Sequence, residues 1–375
     1  MPVKVMTVFG TRPDAVKMAP VVLELKRHPD LVDVVVAVTG QHREMLHQVL
    51  DVFQITPEHD LDIMRQTQTL TEITVRALEG LDKLIRLERP DIVLAQGDTT
   101  TTFVASLAAF YNKVAFGHVE AGLRTDNKYD PFPEEMNRRL TGVIADLHFA
   151  PTQASMDNLL GEGVSPDKIF VTGNTVIDAL LSMSRQPWHF DDPVLANAGS
   201  NGQRMVLVTA HRRENWGAPM EGICRAIKQI ASDFPDVMVV FAVHKNPIVR
   251  DTVFPALQGV DRIHLIEPPD YIPFVHLLKR SYIVLTDSGG IQEEAPALGK
   301  PVLVMRKTTE RPEGVEAGTA KLVGTDQADI FTAASELLNN RISYDSMARA
   351  TNPYGDGRSS EHICEVLFKH FGLKQ

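Results

Sequence analysis

Short, unbroken apolar runs recur along this chain between amphipathic helical segments, and that alternation constrains the fold more than any other feature. Residues 3–9, 32–38, 92–95, 114–117 and 147–150 read as strands. Between them, apolar residues spaced for one buried helical face predict helices over 13–27, 70–87, 101–111 and 133–144. Strands apolar on both faces belong to parallel sheets covered by crossover helices. The pattern lapses over 185–203, which holds Pro187, Pro193, Gly199, Gly202 and several Asp and Asn, and reads as a linker. It restarts with strands at 205–208, 238–243, 263–266, 283–286 and 302–304, and helices at 219–234, 272–280 and 291–298. The expectation is an α/β chain of two Rossmann-like, doubly wound parallel-sheet domains with an interdomain cleft. These are an N-terminal domain over 1–184, the linker, a C-terminal domain over 204–358, and a last helix within 359–375 packing back on the first domain.

Composition narrows the function. The chain has 375 residues, 43% of them hydrophobic and 23% charged, which suits large globular cores. Two cysteines, Cys224 and Cys364, exclude a disulfide framework and a multi-cysteine zinc site. The 38 basic and 48 acidic residues leave a net charge of −10, against the basic footprint of a nucleic-acid binder. There is no apolar run long enough to span a membrane and no signal-peptide pattern at the N-terminus, so a cytoplasmic protein with no membrane partner is expected.

Doubly wound sheets bind ligands beyond their strand C-termini, and three groups of residues fall there. In Asp287-Ser288-Gly289-Gly290-Ile291, a strand gives way to a helix whose free N–H groups and positive dipole end suit a diphosphate. Ser288 sits at the cap and Glu294 one turn on, where a carboxylate can accept from a ribose diol. A cationic group comprises Arg12 and Lys17 after the first strand, and His211 and Arg212 after the strand 205–208. An acidic group comprises Asp98, Glu120 and Glu134, carboxylates suited to acid–base work. Each has a plainer reading on its own: a helix cap for Asp98, a dipole partner for Glu134, a solvated charge for Arg12. Their recurrence at strand C-termini favours function. His118 and His211 lack the paired spacing of metal ligands and are read as hydrogen-bonding residues. No G-x-G-x-x-G or Walker loop is present: Gly161-Glu162-Gly163 runs on to Pro166 and follows a helix. Neither a nicotinamide nor a metal cofactor is therefore expected.

The segments GTRPDAVKMAP (10–20), TGQHREML (39–46), QGDTTTT (96–102), GHVEAGLRT (117–125), PFPEEMNRRL (131–140), TGNTVIDAL (172–180), TAHRREN (209–215), TDSGGIQEEAPALGKPVLVMRKTTERPEG (286–314) and NPYGDG (352–357) span nearly the whole chain. In them the chain resembles the non-hydrolysing UDP-N-acetylglucosamine 2-epimerases. The resemblance implies a GT-B-like fold, a cytoplasmic homodimer, and interconversion of UDP-GlcNAc and UDP-ManNAc for polysaccharide synthesis. It also implies that Asp98, Glu120, Glu134 and His211 are catalytic, and that Arg12, Lys17, Ser288, Gly289, Gly290 and Glu294 bind UDP. Many members bind a second UDP-GlcNAc as an activator; the matching positions are Gln41, Glu134, Arg212 and His244. This chain carries Glu44 and Thr67 where some of those members carry Gln and Arg. The expected chemistry is loss of UDP to give 2-acetamidoglucal, then re-addition with protonation of C2 from the opposite face. Rival readings are a 2-epimerase for a UDP-diacetamido-uronic acid, a hydrolysing epimerase, a GT-B glycosyltransferase and a nucleotide-sugar sensor.

Overall fold

The structure is a computed structural model that describes residues 2–40, 43–65, 67–125, 127–200 and 202–374, with 43–45 described as backbone. Gln41, one of the expected activator positions, lies outside the described residues. The chain divides into two compact units, Met1–Ala179 with Tyr354–Gln375, and Leu180–Pro353.

Among the described residues the first unit holds a seven-stranded parallel sheet: β1 (Val3–Phe9), β2 (Val32–Val38), β3 (His59–Asp60), β4 (Ile92–Gln96), β5 (Ala115–Val119), β6 (Leu147–Ala150) and β7 (Ile169–Val171), in the order β3-β2-β1-β4-β5-β6-β7. Successive strands step outward from β1 on one side, then from β4 on the other. The winding therefore reverses between β1 and β4, and a crevice opens at their C-terminal ends. The register Val5↔Ile92 to Val8↔Ala95 brings the turns after β1 and β4 side by side. Helices 12–26 and 100–111 leave from those turns, each started by a threonine cap, Thr11 and Thr99.

The second unit repeats the plan with β8 (Arg204–Ala210), β9 (Val237–Val243), β10 (Ile263–Ile266), β11 (Ile283–Thr286), β12 (Val302–Val304) and β13 (Ala320–Leu322), ordered β10-β9-β8-β11-β12-β13. Its winding reverses between β8 and β11. All seven residues of β9 are buried, as a strand covered on both faces requires.

The stretch 185–203, expected as a linker, is part of the second unit. It contains a short helix, Pro193–Asn197. Trp188 stacks on His276 at 6.2 Å, and the Arg280 guanidinium lies 4.9 Å over the Phe190 ring. A few aromatic anchors fasten this segment, so it has no periodicity to read. The division at 179/180 precedes the expected boundary at 184, and the return at 353/354 precedes the expected 358/359. The last helix, Ser359–His370, packs on helix 12–26, with His28 edge-on to Phe368 at 5.1 Å. No helix among the described residues is long and apolar enough to cross a membrane.

Candidate active site

The turn after β1 is closed by Gly10. A Cβ there would meet Thr39 Oγ1 at 2.3 Å and Thr101 Oγ1 at 2.4 Å, so no side chain fits between these turns. Asp14, buried in the first turn of the helix, accepts through Oδ2 from Gly10 N at 3.4 Å, Thr11 N at 3.2 Å and Thr99 Oγ1 at 3.2 Å. It thereby ties the turn after β1 to the turn after β4. Burial pushes the Asp14 carboxyl up to about 6, against hydrogen bonds from Thr11 and Gly10 and with a smaller push from the Asp98 charge. Arg12 is exposed and has no ion-pair partner among the described residues.

Glu120, just past β5, is buried and has a left-handed backbone with φ of 63°. That conformation costs a residue with a Cβ roughly 1–2 kcal/mol and persists where the surroundings enforce it. The enforcement is visible. Lys17 Nζ lies 2.7 Å from Oε1 and 2.8 Å from Oε2, Asn174 Nδ2 donates to Oε1 at 3.0 Å, and Gln96 Nε2 donates to Oε2. Asp98, just past β4, is paired with Arg138 at 2.5 Å, and its carbonyl accepts from Asn137 Nδ2 at 2.9 Å. Both partners lie on the helix Glu134–Ile144, so the helix that begins with Glu134 also holds Asp98. Behind them the fully buried Glu135 pairs with Arg138 at 3.3 Å and Arg139 at 2.6 Å. Glu134 is half-buried and has no hydrogen-bond or ion-pair partner among the described residues. One sheet edge thus carries three carboxylates in three settings: clamped by donors, paired with a guanidinium, and unpaired.

His118 donates through Nε2 to Gly97 O at 2.7 Å and so fixes the turn between Gln96 and Asp98. Burial drives its imidazole down to about 4, which keeps it neutral.

In the second unit the turns after β8 and β11 meet on Asp287. Its Oδ2 accepts from His211 N, Arg212 N and Asn215 Nδ2, each at 2.9 Å, and Oδ1 lies 3.1 Å from His211 Nδ1. Burial works to raise the Asp287 carboxyl, but the His211 side chain and the backbone donors prevail and hold it below the usual range. The helix Gly289–Ala297 starts at Ser288, whose side chain makes no cap hydrogen bond, so the first N–H groups of the helix are left for another acceptor. Arg212 Nη2 reaches Glu310 Oε1 at 2.8 Å, and a Cβ on Gly289 would sit 3.0 Å from that oxygen and 3.7 Å from Arg212 Nη2. Glu310 also pairs with Arg306. His244, past β9, stacks on His211 with ring centres 5.6 Å apart, and its Nδ1 accepts from Asn246 N at 3.1 Å. Glu294 acts on the half-buried Tyr271, whose enclosed phenol is raised first by burial and then by that charge. Among the described residues no group of three or more His, Cys, Asp and Glu is arranged to hold a metal ion.

The family model of the UDP-N-acetylglucosamine 2-epimerases matches residues 23–368. The chain belongs to this family. It is 58% identical over 372 residues to the UDP-N-acetylglucosamine 2-epimerase of Bacillus subtilis, covering 99% of this chain and 97% of that one. The UDP-GlcNAc 2-epimerase of Neisseria meningitidis bound to UDP-GlcNAc superposes with a TM-score of 0.84 at 49% identity, over 98% of this chain and 100% of that one. The Methanocaldococcus jannaschii UDP-GlcNAc 2-epimerase, in complex with UDP-GlcNAc and UDP, gives 0.75 at 32% identity, over 98% and 99%. The two doubly wound units are those of a GT-B-like epimerase. Of the residues expected from sequence, Lys17, Asp98, Glu120 and Glu134 fall together in the first unit of this epimerase. His211, Arg212, His244, Ser288, Gly289 and Gly290 fall around the β8–β11 turns of the second. Sequence reasoning missed Asp14, Asn137, Arg138, Asn174, Asp287 and Glu310. Thr11-x-x-Asp14 could be seen, but it reads as an ordinary capping box.

Proposed function

We propose that the chain interconverts UDP-GlcNAc and UDP-ManNAc without hydrolysing either. The supporting observation is the trio of carboxylates on the first sheet edge, in a chain that also carries an uncapped helix start beside His211 and Arg212. The C2 hydrogen of an N-acetylhexosamine adjoins no carbonyl, so its direct removal is too unfavourable. Breaking the C1–O bond, with both electrons leaving on UDP, makes C1 oxocarbenium-like and C2–H acidic. A carboxylate takes that proton, C1=C2 forms, and 2-acetamidoglucal results. UDP then re-adds at C1 as a second carboxylic acid delivers a proton to C2 from the other face.

The Gly289 helix start, Ser288 and Gly290 receive the departing diphosphate, with His211 and Arg12 adding positive charge and Glu294 taking the ribose. Asp98, Glu120 and Glu134 serve C1 and C2, and Lys17 holds Glu120. The elimination and re-addition move only protons and the UDP leaving group and pass through no oxidised sugar, so this route needs no nicotinamide, and the charge on the leaving group is met by the helix start and the nearby cations. Arg212 and His244, beside His211, take a second UDP-GlcNAc as activator, which predicts sigmoidal rate curves. The active form is a cytoplasmic homodimer. Exposed Met136, Leu140 and Val143 on helix 134–144, and Phe110 and Tyr111 at the end of helix 100–111, give it an apolar face.

The test is incubation with UDP-GlcNAc alone. The reading predicts UDP-ManNAc accumulating to a constant ratio. Free ManNAc with UDP, or unchanged substrate, contradicts it.

A further inference from the structure

Two of the family-like segments, TGNTVIDAL over 172–180 and NPYGDG over 352–357, have no part in the chemistry above. They meet at Asn174. This residue is buried, and its main-chain N–H donates to Tyr354 O at 2.7 Å, where the chain returns to the first unit. Its side-chain amide has a fixed orientation. Oδ1 accepts from Val176 N at 3.1 Å at the start of helix Thr175–Arg185, which leaves Nδ2 on the other side as a donor. That donor reaches Glu120 Oε1 at 3.0 Å. Lys17 and Gln96 grip the same carboxylate from β1's helix and from β4. Asn174 approaches it from the segment after β7.

We propose that Asn174 is a positioning residue for the Glu120 carboxylate. It sets the rotation of the carboxylate plane and keeps Oε1 an acceptor, so that the residue with the strained backbone presents its charge in one orientation. Through Tyr354 O, the segment 352–357 holds Asn174 in place. The proposal rests on the reading of Glu120 as part of the epimerase machinery.

Two substitutions separate this role from plain helix capping. Asn174→Asp keeps an equally good cap but turns an acceptor toward Glu120, and Asn174→Ser keeps a cap that is too short to reach it. With UDP-GlcNAc, kcat is expected to fall about 30-fold or more in Asn174→Asp and about tenfold in Asn174→Ser, with KM within about threefold of the parent. Either variant, folded and with kcat within about twofold of the parent, overturns the proposal. If Asn174→Asp does not fold, Asn174→Ser decides.

A double-mutant cycle in denaturant makes the test independent of turnover. Asn174→Asp with Glu120→Gln reverses donor and acceptor, so the pair is expected to recover stability that Asn174→Asp loses. Additive losses contradict the contact. Parent protein that leaves UDP-GlcNAc unchanged sinks the epimerase reading, while the cycle still decides the role of Asn174.

Discussion

Asp287 Oδ1 lies 3.1 Å from His211 Nδ1, while Asp287 Oδ2 holds the backbone of the turn that carries His211. One buried carboxylate therefore sets both the position and the ring orientation of the histidine. Asp287→Asn keeps an acceptor for the three donors and loses the charge. It is expected to fold and to lose about 100-fold in kcat. Asp287→Ala orphans the His211 and Arg212 N–H groups and leaves Asn215 Nδ2 with Met305 O alone, and is expected to destabilise the second unit by about 3 kcal/mol. Kinetics and denaturant unfolding read the two effects separately.

Asp14 predicts a pH dependence. Its folded-state value of about 6 lies above the ordinary 3.8, because burial favours the neutral acid. Below both values folded and unfolded chains are alike protonated. As pH rises through this window the unfolded chain ionises first, and stability falls by about 3 kcal/mol before levelling off. Asp14→Asn keeps an acceptor for Gly10, Thr11 and Thr99 and has nothing to ionise. Denaturant unfolding at pH 4 and pH 7 should show the parent losing stability relative to Asp14→Asn at the higher pH. A constant difference contradicts the assignment.

Arg138 holds Asp98 at 2.5 Å and the fully buried Glu135 at 3.3 Å. Arg138→Met frees the Asp98 side chain and leaves Glu135 to Arg139. The expected result is about 3 kcal/mol of lost stability and at least about a tenfold fall in kcat. Glu135→Gln with Arg138→Met should recover part of the stability and none of the rate.

Gly290 separates fold from binding. A Cβ there meets nothing within 4 Å, and the residue lies in the first turn of a helix. Gly290→Ala should leave stability unchanged or raise it by up to about 1 kcal/mol. The added methyl stands where a diphosphate approaches the helix start, so UDP affinity by calorimetry should fall about tenfold or more. Unchanged affinity would remove Gly290 from the nucleotide seat.

Much of this architecture was legible in the chain because continuous apolar strands announce themselves. The expected strand ranges 3–9, 32–38, 147–150, 263–266, 283–286 and 302–304 are those of β1, β2, β6, β10, β11 and β12. β3, β7 and β13 were not legible: each is two or three residues long and carries exposed or half-buried positions, so none shows the unbroken buried apolar run that marks the equally short β12. The same limit applies to the site. Lys17, Asp98, Glu120 and Glu134 stand out at strand and helix ends. Asp14, Arg138 and Asn174 act through partners 85, 40 and 54 residues away in sequence, and no local pattern encodes such a meeting. Asp287 gives no local signal of its role, because its three donors converge on it only when β8 and β11 lie side by side.

The claim on which the account depends is that the C2–H bond breaks during turnover and is re-formed with a different proton on the opposite face. Turnover of UDP-GlcNAc in deuterated water tests it directly by mass and NMR analysis of the sugars at equilibrium. The account predicts deuterium at C2 of both UDP-GlcNAc and UDP-ManNAc. UDP-ManNAc that keeps the original hydrogen at C2 would contradict it.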